Sequence, residues 1–189
     1  MNSALIVIDV QESFRHRPFF SEQDLPAYLK AQNELIAGCL RQGVPVVRVF
    51  HCSQSQHADD PFSPASGLVR PLQGLMAFDA AATFNKIRHS ALVASGLDVW
   101  LTQHGIQRLI ISGMRTEQCC ETTTRHASDL GWQVDFVTEA TLTFDMLQAN
   151  GEPLSAADIV TRTETVLRER FATLCTVTQA IERNQTQAG

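Results

Sequence analysis

The sequence has no apolar run long enough to cross a membrane, no basic segment ahead of its first apolar stretch, no C-x-x-C pair and no large charge of either sign. The first two absences argue against a membrane span, which needs about 20 apolar residues in a row, and against a secretion signal, which opens with a positive region. A cytoplasmic protein is expected. The five cysteines, Cys39, Cys52, Cys119, Cys120 and Cys175, are odd in number and irregularly spaced. They match neither a zinc site nor a thioredoxin-like redox centre, so reduced thiols are expected. A net charge of -5 on 189 residues gives no footprint for a polyanion and argues against a nucleic-acid partner. Internal repeats and linkers are also missing, so residues 1–189 read as one domain. A chain of this length can bury roughly 70% of the surface that it exposes when unfolded.

What is present alternates strand and helix patterns. Residues 4–8 form a continuous apolar, β-branched run ended by Asp9, which suits a strand covered on both faces. Residues 25–40 repeat apolar side chains at helical spacing and stop at Gly43. Strands are expected at 44–50, 83–87, 108–112, 132–137 and 174–177. Further helices are expected from Ser90 through Leu101, from Thr116 to Leu130, and from a capping box at Ser155 through Phe171. Residues 51–80 are polar and rich in Pro, Ser and Asp, the composition of a binding or interface loop. Such alternation predicts an α/β domain: a doubly wound, mostly parallel sheet of about six strands with helices on both faces, a Rossmann-like three-layer arrangement. Ligands bind such sheets beyond the carboxyl ends of the strands, where Asp9, His51, Lys86 and residues 113–119 fall.

Three of these residues have chemistry to offer. Cys119 stands three residues after Thr116, the expected helix cap, where free N–H groups and the helix dipole favour a thiolate. A small buried hydrophobe is the competing reading, and for the neighbouring Cys120, rotated by about 100° on a helix, packing is the better one. Asp9 ends a buried strand, where a carboxylate is costly unless paired or at work, although an Asp there can also be a turn former. Lys86 turned inward would offset Asp9 and favour a nearby thiolate; turned outward it is a surface charge.

Taken in order, Ala4-Leu5-Ile6-Val7-Ile8-Asp9-Val10-Gln11, Lys86-Ile87-Arg88-His89-Ser90-Ala91-Leu92, the strand ending at Gly113, and Thr116-Glu117-Gln118-Cys119-Cys120 resemble the isochorismatase-like family of cysteine hydrolases. The resemblance runs from Ala4 to about Val177. It implies a catalytic triad of Asp9, Lys86 and Cys119, with Cys119 the nucleophile, Asp9 taking its proton and Lys86 stabilising the charged state. It also implies a cis peptide at Met114-Arg115 and an oxyanion hole formed by the backbone N–H groups of Arg115 and Cys119, acting on a small-molecule substrate. Homo-oligomers are common in that family, and the apolar residues between Leu142 and Leu154 are expected to pack on another subunit.

The sequence departs from two branches of the family. Nicotinamidases carry an Asp-x-His and a further His that hold a metal, and no Asp-x-His occurs here. The spacing of His51, His57, Asp59 and Asp60 fits no usual ligand pattern, so no metal and no cofactor are expected. Isochorismatases that cleave a vinyl ether lack the nucleophilic Cys. Arg115 is a candidate to pair with a substrate carboxylate, and Phe14, His51, Phe144, Glu117 and Gln118 are further candidates for substrate contact. The expected activity is hydrolysis of a small amide or ureido C–N bond through a thioester. A noncatalytic binding protein on the same fold and a redox pair of Cys119 with Cys120 are the rival readings.

Overall fold

The computed structural model describes residues 2–185. Strand β1 (Ser3–Ile8) is buried along its whole length. Leu5 and Val7 enter the core beside helix α1 (Leu25–Arg41), whereas Ala4, Ile6 and Ile8 enter a second core on the opposite side. Side chains alternate along a strand, and both sides are roofed by helices, so an unbroken apolar run results. β1 pairs on one side with β2 (Val46–His51), which pairs with β3 (Ala82–Lys86). On its other side lies β4 (Arg108–Met114), followed by β5 (Gln133–Leu142) and, past two antiparallel strands, by β8 (Thr173–Leu174). The order is β3-β2-β1-β4-β5-β8. Every pairing in this sheet is parallel, rather than mostly so.

Helices α1 and α5 (Val177–Gln185) cover one face. The other is covered by α2 (Leu97–Gln103), α3 (Glu121–Asp129) and α4 (Ala156–Leu167). The chain winds outward from β1 to β3, returns to the centre, and winds the other way from β4. The connections leaving β1 and β4 therefore part from each other, and a crevice opens between them at the carboxyl ends.

Several local expectations fail where a side chain finds a distant partner. Ser90 does not cap a helix: its hydroxyl meets His126 Nδ1 at 2.9 Å and accepts from the Leu92 N–H, and turns fill the chain until α2 opens behind Gly96. Thr116 is not a cap either. Its hydroxyl donates to Thr141 Oγ1, Arg115 holds the cap position, and residues Thr116–Cys120 form a π-helical turn in which the Cys120 N–H reaches Arg115 O. Ser155 does cap α4, accepting from the Asp158 N–H, but that helix ends at Leu167, short of Phe171. The last strand is two residues long, and α5 after it was not expected from so short an apolar stripe, of which Val177 and Ala180 are buried. Strand β5 runs on to Leu142, and the segment beyond it forms a hairpin of β6 (Met146–Leu147) and β7 (Pro153–Leu154) that leaves Leu147 75% exposed. Among the described residues no helix is long and apolar enough to cross a membrane.

Candidate active site

At the carboxyl ends of β1, β3 and β4 the fold gathers Asp9, Lys86 and Cys119. Lys86 is the last residue of β3, two strands away from Asp9, and its stem spans that distance. Its Nζ lies 2.8 Å from Asp9 Oδ2, 3.2 Å from Cys119 Sγ, 3.2 Å from His51 Nδ1 and 3.1 Å from Arg88 O. Asp9 and Lys86 have no solvent exposure, and a buried charge of either sign is tolerated only with a partner. An ammonium has three protons and this one has four acceptors in reach, so one contact is always left without a proton. Turning the head group is enough to deliver a hydrogen bond to the sulfur when it becomes charged.

Asp9 sits at φ +55°, in the left-handed region that Asp tolerates better than most residues. Its backbone is held there by an N–H bond to Val49 O and by a bond accepted from the Gln11 N–H. The contact with Lys86 is close but poorly directed, and neither carboxylate oxygen completes a well-formed hydrogen bond. Buried carboxylates are normally saturated by donors. An unsaturated one beside a thiol can accept a proton.

The turn that carries the thiol begins at Gly113, with φ +126°, followed by a cis peptide between Met114 and Arg115. The Arg115 guanidinium lies over Phe19 at 4.6 Å and Phe144 at 5.7 Å, and its Nη2 is 3.0 Å from Glu117 Oε1. Glu117 is fixed in turn by the Thr143 hydroxyl, which donates to Oε2 at 2.6 Å. Arg115 is thus charge-balanced within the protein, and a substrate carboxylate would have to compete with Glu117.

Burial decides the state of the thiol. It pushes the Cys119 pKa up to about 12, the negative charge of Asp9 adds to the rise, and Lys86 offsets only part of it. The helix start is expected to favour a thiolate; burial and the charge of Asp9 act in the opposite direction. Burial also disfavours the Lys86 charge, but Asp9 and Cys119 outweigh it and raise the ammonium pKa. His51 is lowered by burial and then by Lys86, so its ring is neutral near pH 7. Since an ammonium only donates, His51 Nδ1 is the acceptor and Nε2 carries the proton.

One consequence is measurable. Below its pKa the thiolate fraction rises tenfold per pH unit. Alkylation of Cys119 by iodoacetamide, followed by peptide mass spectrometry in a Cys120→Ala background, is expected to be slow at pH 7 and to climb about tenfold per unit through pH 9. A rate already at its plateau at pH 7 would mean a depressed thiol and contradict this.

A cavity of about 360 Å³ opens over the sulfur. Phe14, Phe19, Phe62 and His51 supply its ring-bearing walls, with Phe62 edge-on to both Phe14 and His51. Two acidic side chains, Asp9 and Asp60, and two basic ones, Arg17 and Arg115, line it along with His89 and Gln118. Phe144 does not: it packs behind Phe19 and Arg115, because β5 carries it past the crevice. Cys120, one residue from the nucleophile candidate, is fully buried in the core on the α3 side. Among the described residues no three His, Cys, Asp or Glu side chains gather as a metal site would require, and all five cysteines are free thiols.

Two contributors had no distinct signal in the sequence. Gln11 pairs its side-chain amide with the His51 backbone, accepting at 2.8 Å and donating at 3.0 Å, as a strand neighbour would. It ties the ends of β1 and β2 together and holds the ring that touches Lys86. His89 is an exposed loop residue whose Nδ1 lies 3.9 Å from Cys119 Sγ. A Gln two residues after the strand-end Asp was visible; a His three residues after the Lys looked like any loop polar residue.

Comparison with known proteins gives the chain relatives. Residues 3–178 match the isochorismatase domain family. An uncharacterised isochorismatase family protein of Bacillus subtilis is 26% identical over 178 residues, covering 94% of each chain. Nicotinamidase 3 of Arabidopsis thaliana is 31% identical over 155 residues, 76% of this chain and 74% of that protein. The crystal structure of a cysteine hydrolase from Pseudomonas syringae pv. phaseolicola superposes with a TM-score of 0.88 at 20% identity, over 98% of this chain and 93% of the other.

Proposed function

The chain belongs to the isochorismatase family of hydrolases, and from that premise we propose that it cleaves an amide or ureido C–N bond of a small molecule through a thioester on Cys119. The observation that carries this reading is the buried cluster in which Lys86 Nζ stands 2.8 Å from Asp9 and 3.2 Å from Cys119 Sγ beneath an open cavity.

Cys119 rests as a thiol. As a carbonyl carbon approaches the sulfur, Asp9 takes the proton and Lys86 turns a hydrogen bond toward the developing thiolate. The S–C bond forms, and the backbone N–H groups of Arg115 and Cys119 receive the oxyanion. The tetrahedral adduct collapses with cleavage of the C–N bond. Asp9 returns its proton to the departing nitrogen, which leaves as ammonia or an amine. Water then hydrolyses the thioester to the acid and restores the thiol.

The cavity also narrows the substrate. Its volume suits a small molecule, its lining charges balance, and its aromatic walls would flank a planar or apolar group. A neutral amide with an apolar side fits better than a polyanion. Phe14 and the His51 Nε2–H are its contacts in this reading; Arg115, engaged by Glu117, shapes the wall. The Arabidopsis relative is named as a nicotinamidase, but this sequence has no Asp-x-His, so a metal-independent amide hydrolysis is the version proposed.

The test is a screen of small primary amides, ureido acids and N-carbamoyl compounds for ammonia release, run beside Cys119→Ala. Release that disappears in the variant supports the reading. No turnover of any of these, with no acyl group on Cys119 by mass spectrometry, would overturn it in favour of a binding protein on the same fold.

A further inference from the structure

We propose that His89 is the base that activates water against the Cys119 thioester and the acid that returns the proton to the departing sulfur; this rests on the thioester reading above. Asp9 and Cys119 line the floor of the cavity at 0% and 6% exposure, and Lys86 is wholly buried beneath them. His89 is exposed and lines the same cavity from its rim. Its Nδ1 is 3.9 Å from Cys119 Sγ, within reach of a sulfur hydrogen bond. His51, the other imidazole of the cavity, cannot serve in this way, because its Nδ1 is taken up by Lys86.

The spacing suits the second half of the reaction. A water attacking the acyl carbon must sit one covalent bond beyond the sulfur, and a base serving it must lie close to the sulfur but on the wet side. His89 satisfies both conditions, and it does so in the tautomer with the proton on Nε2, which leaves Nδ1 free to accept. The balance closes without a further reactant. Water forms the O–C bond and gives one proton to His89 Nδ1. The tetrahedral adduct then breaks its C–S bond, and the same nitrogen protonates the leaving sulfur, regenerating the Cys119 thiol and the neutral imidazole. An imidazole suits both directions of transfer because its neutral ring accepts a proton at the free nitrogen and its protonated ring gives that proton back.

The experiment uses p-nitrophenyl acetate with the full-length protein, reading the burst of p-nitrophenolate, the steady rate after it, and acetylation of Cys119 by mass spectrometry. In His89→Gln and His89→Ala, acetylation of Cys119 is expected to proceed as in the wild type. The steady rate falls by about 10²-fold or more, the loss typical for a missing acid-base group, so that the acetyl-enzyme accumulates. Imidazole added to the buffer should speed deacetylation of His89→Ala and leave the wild type unchanged, an effect that a purely structural role would not produce. A steady rate within threefold of the wild type would overturn the assignment, as would acetylation and steady rate falling together. Failure of Cys119 to acetylate in any of the proteins would instead bring down the thioester reading itself.

Discussion

Cys119→Ala is expected to lower amide turnover by about 10³-fold or more, while Cys120→Ala stays within a few-fold of the wild type, since loss of a covalent nucleophile removes the reaction path itself. The two thiols are adjacent in sequence and opposite in circumstance. Cys119 lines the cavity with Lys86 Nζ 3.2 Å from its sulfur. Cys120 is 0% exposed and packs with the α3-side core, and burial pushes its thiol pKa well above the ordinary value. Replacing it by Ala deletes one buried atom, which costs on the order of 1 kcal/mol and lowers Tm without touching the reaction. The measurement pairs ammonia release from an accepted amide with thermal unfolding of both variants. Activity kept by Cys119→Ala and lost by Cys120→Ala would exchange their roles and end the proposed chemistry.

Gly113→Ala is expected to leave little or no folded protein, a loss of more than about 4 kcal/mol. A Cβ at this position would stand 1.9 Å from Ile8 O, 2.7 Å from Ile8 C and 2.8 Å from Ile8 N. All three are backbone atoms and cannot rotate away. Gly113 also has φ +126°, which side-chain-bearing residues rarely adopt. Because Gly113 pairs with Ile8, relief would require β1 and β4 to separate beside Asp9, which Lys86 and Cys119 approach. Gly131→Ala is the control: it too has positive φ, at +94°, but open space around the added carbon. That variant should lose only about 1 kcal/mol. Denaturant unfolding of both checks the prediction, and a Gly113→Ala protein as stable as the control would show that the strands can yield there.

The two expectations have different origins. Gly113→Ala concerns covalent geometry and close approach, and it holds whether or not the protein is an enzyme. Cys119→Ala concerns chemistry, and it stands with the proposed thioester.

Much of the fold was legible because a parallel strand roofed on both faces must be apolar at every position. Such a run can break only where the chain leaves the sheet, so Asp9 and Gly113 stood out as strand ends, and strand ends are where a doubly wound sheet binds ligands; Lys86 lay near the end of an expected strand at 83–87 whose mixed polarity matches its half-exposed faces. Residues 25–40 likewise announced α1, since one apolar stripe at helical spacing and a glycine after it have few other readings. What stayed hidden depended on partners far away in the chain. The hydroxyls of Ser90 and Thr116 had the look of helix caps, yet they bond to His126 and Thr141. Arg115 looked free for a substrate, and its charge is met by Glu117. Position at a helix start suggested a thiolate at Cys119, whereas the depth of burial and the charge of Asp9 push its pKa up.

By itself, then, the sequence determined the alternation of strands and helices and the breaks of two buried apolar runs at Asp9 and Gly113, because those follow from local polarity and chain geometry. The tertiary structure alone decided which groups come within reach of one another, which charges are paired and which histidine stands near the sulfur, because desolvation and Coulomb interaction depend on distances that only the folded chain sets.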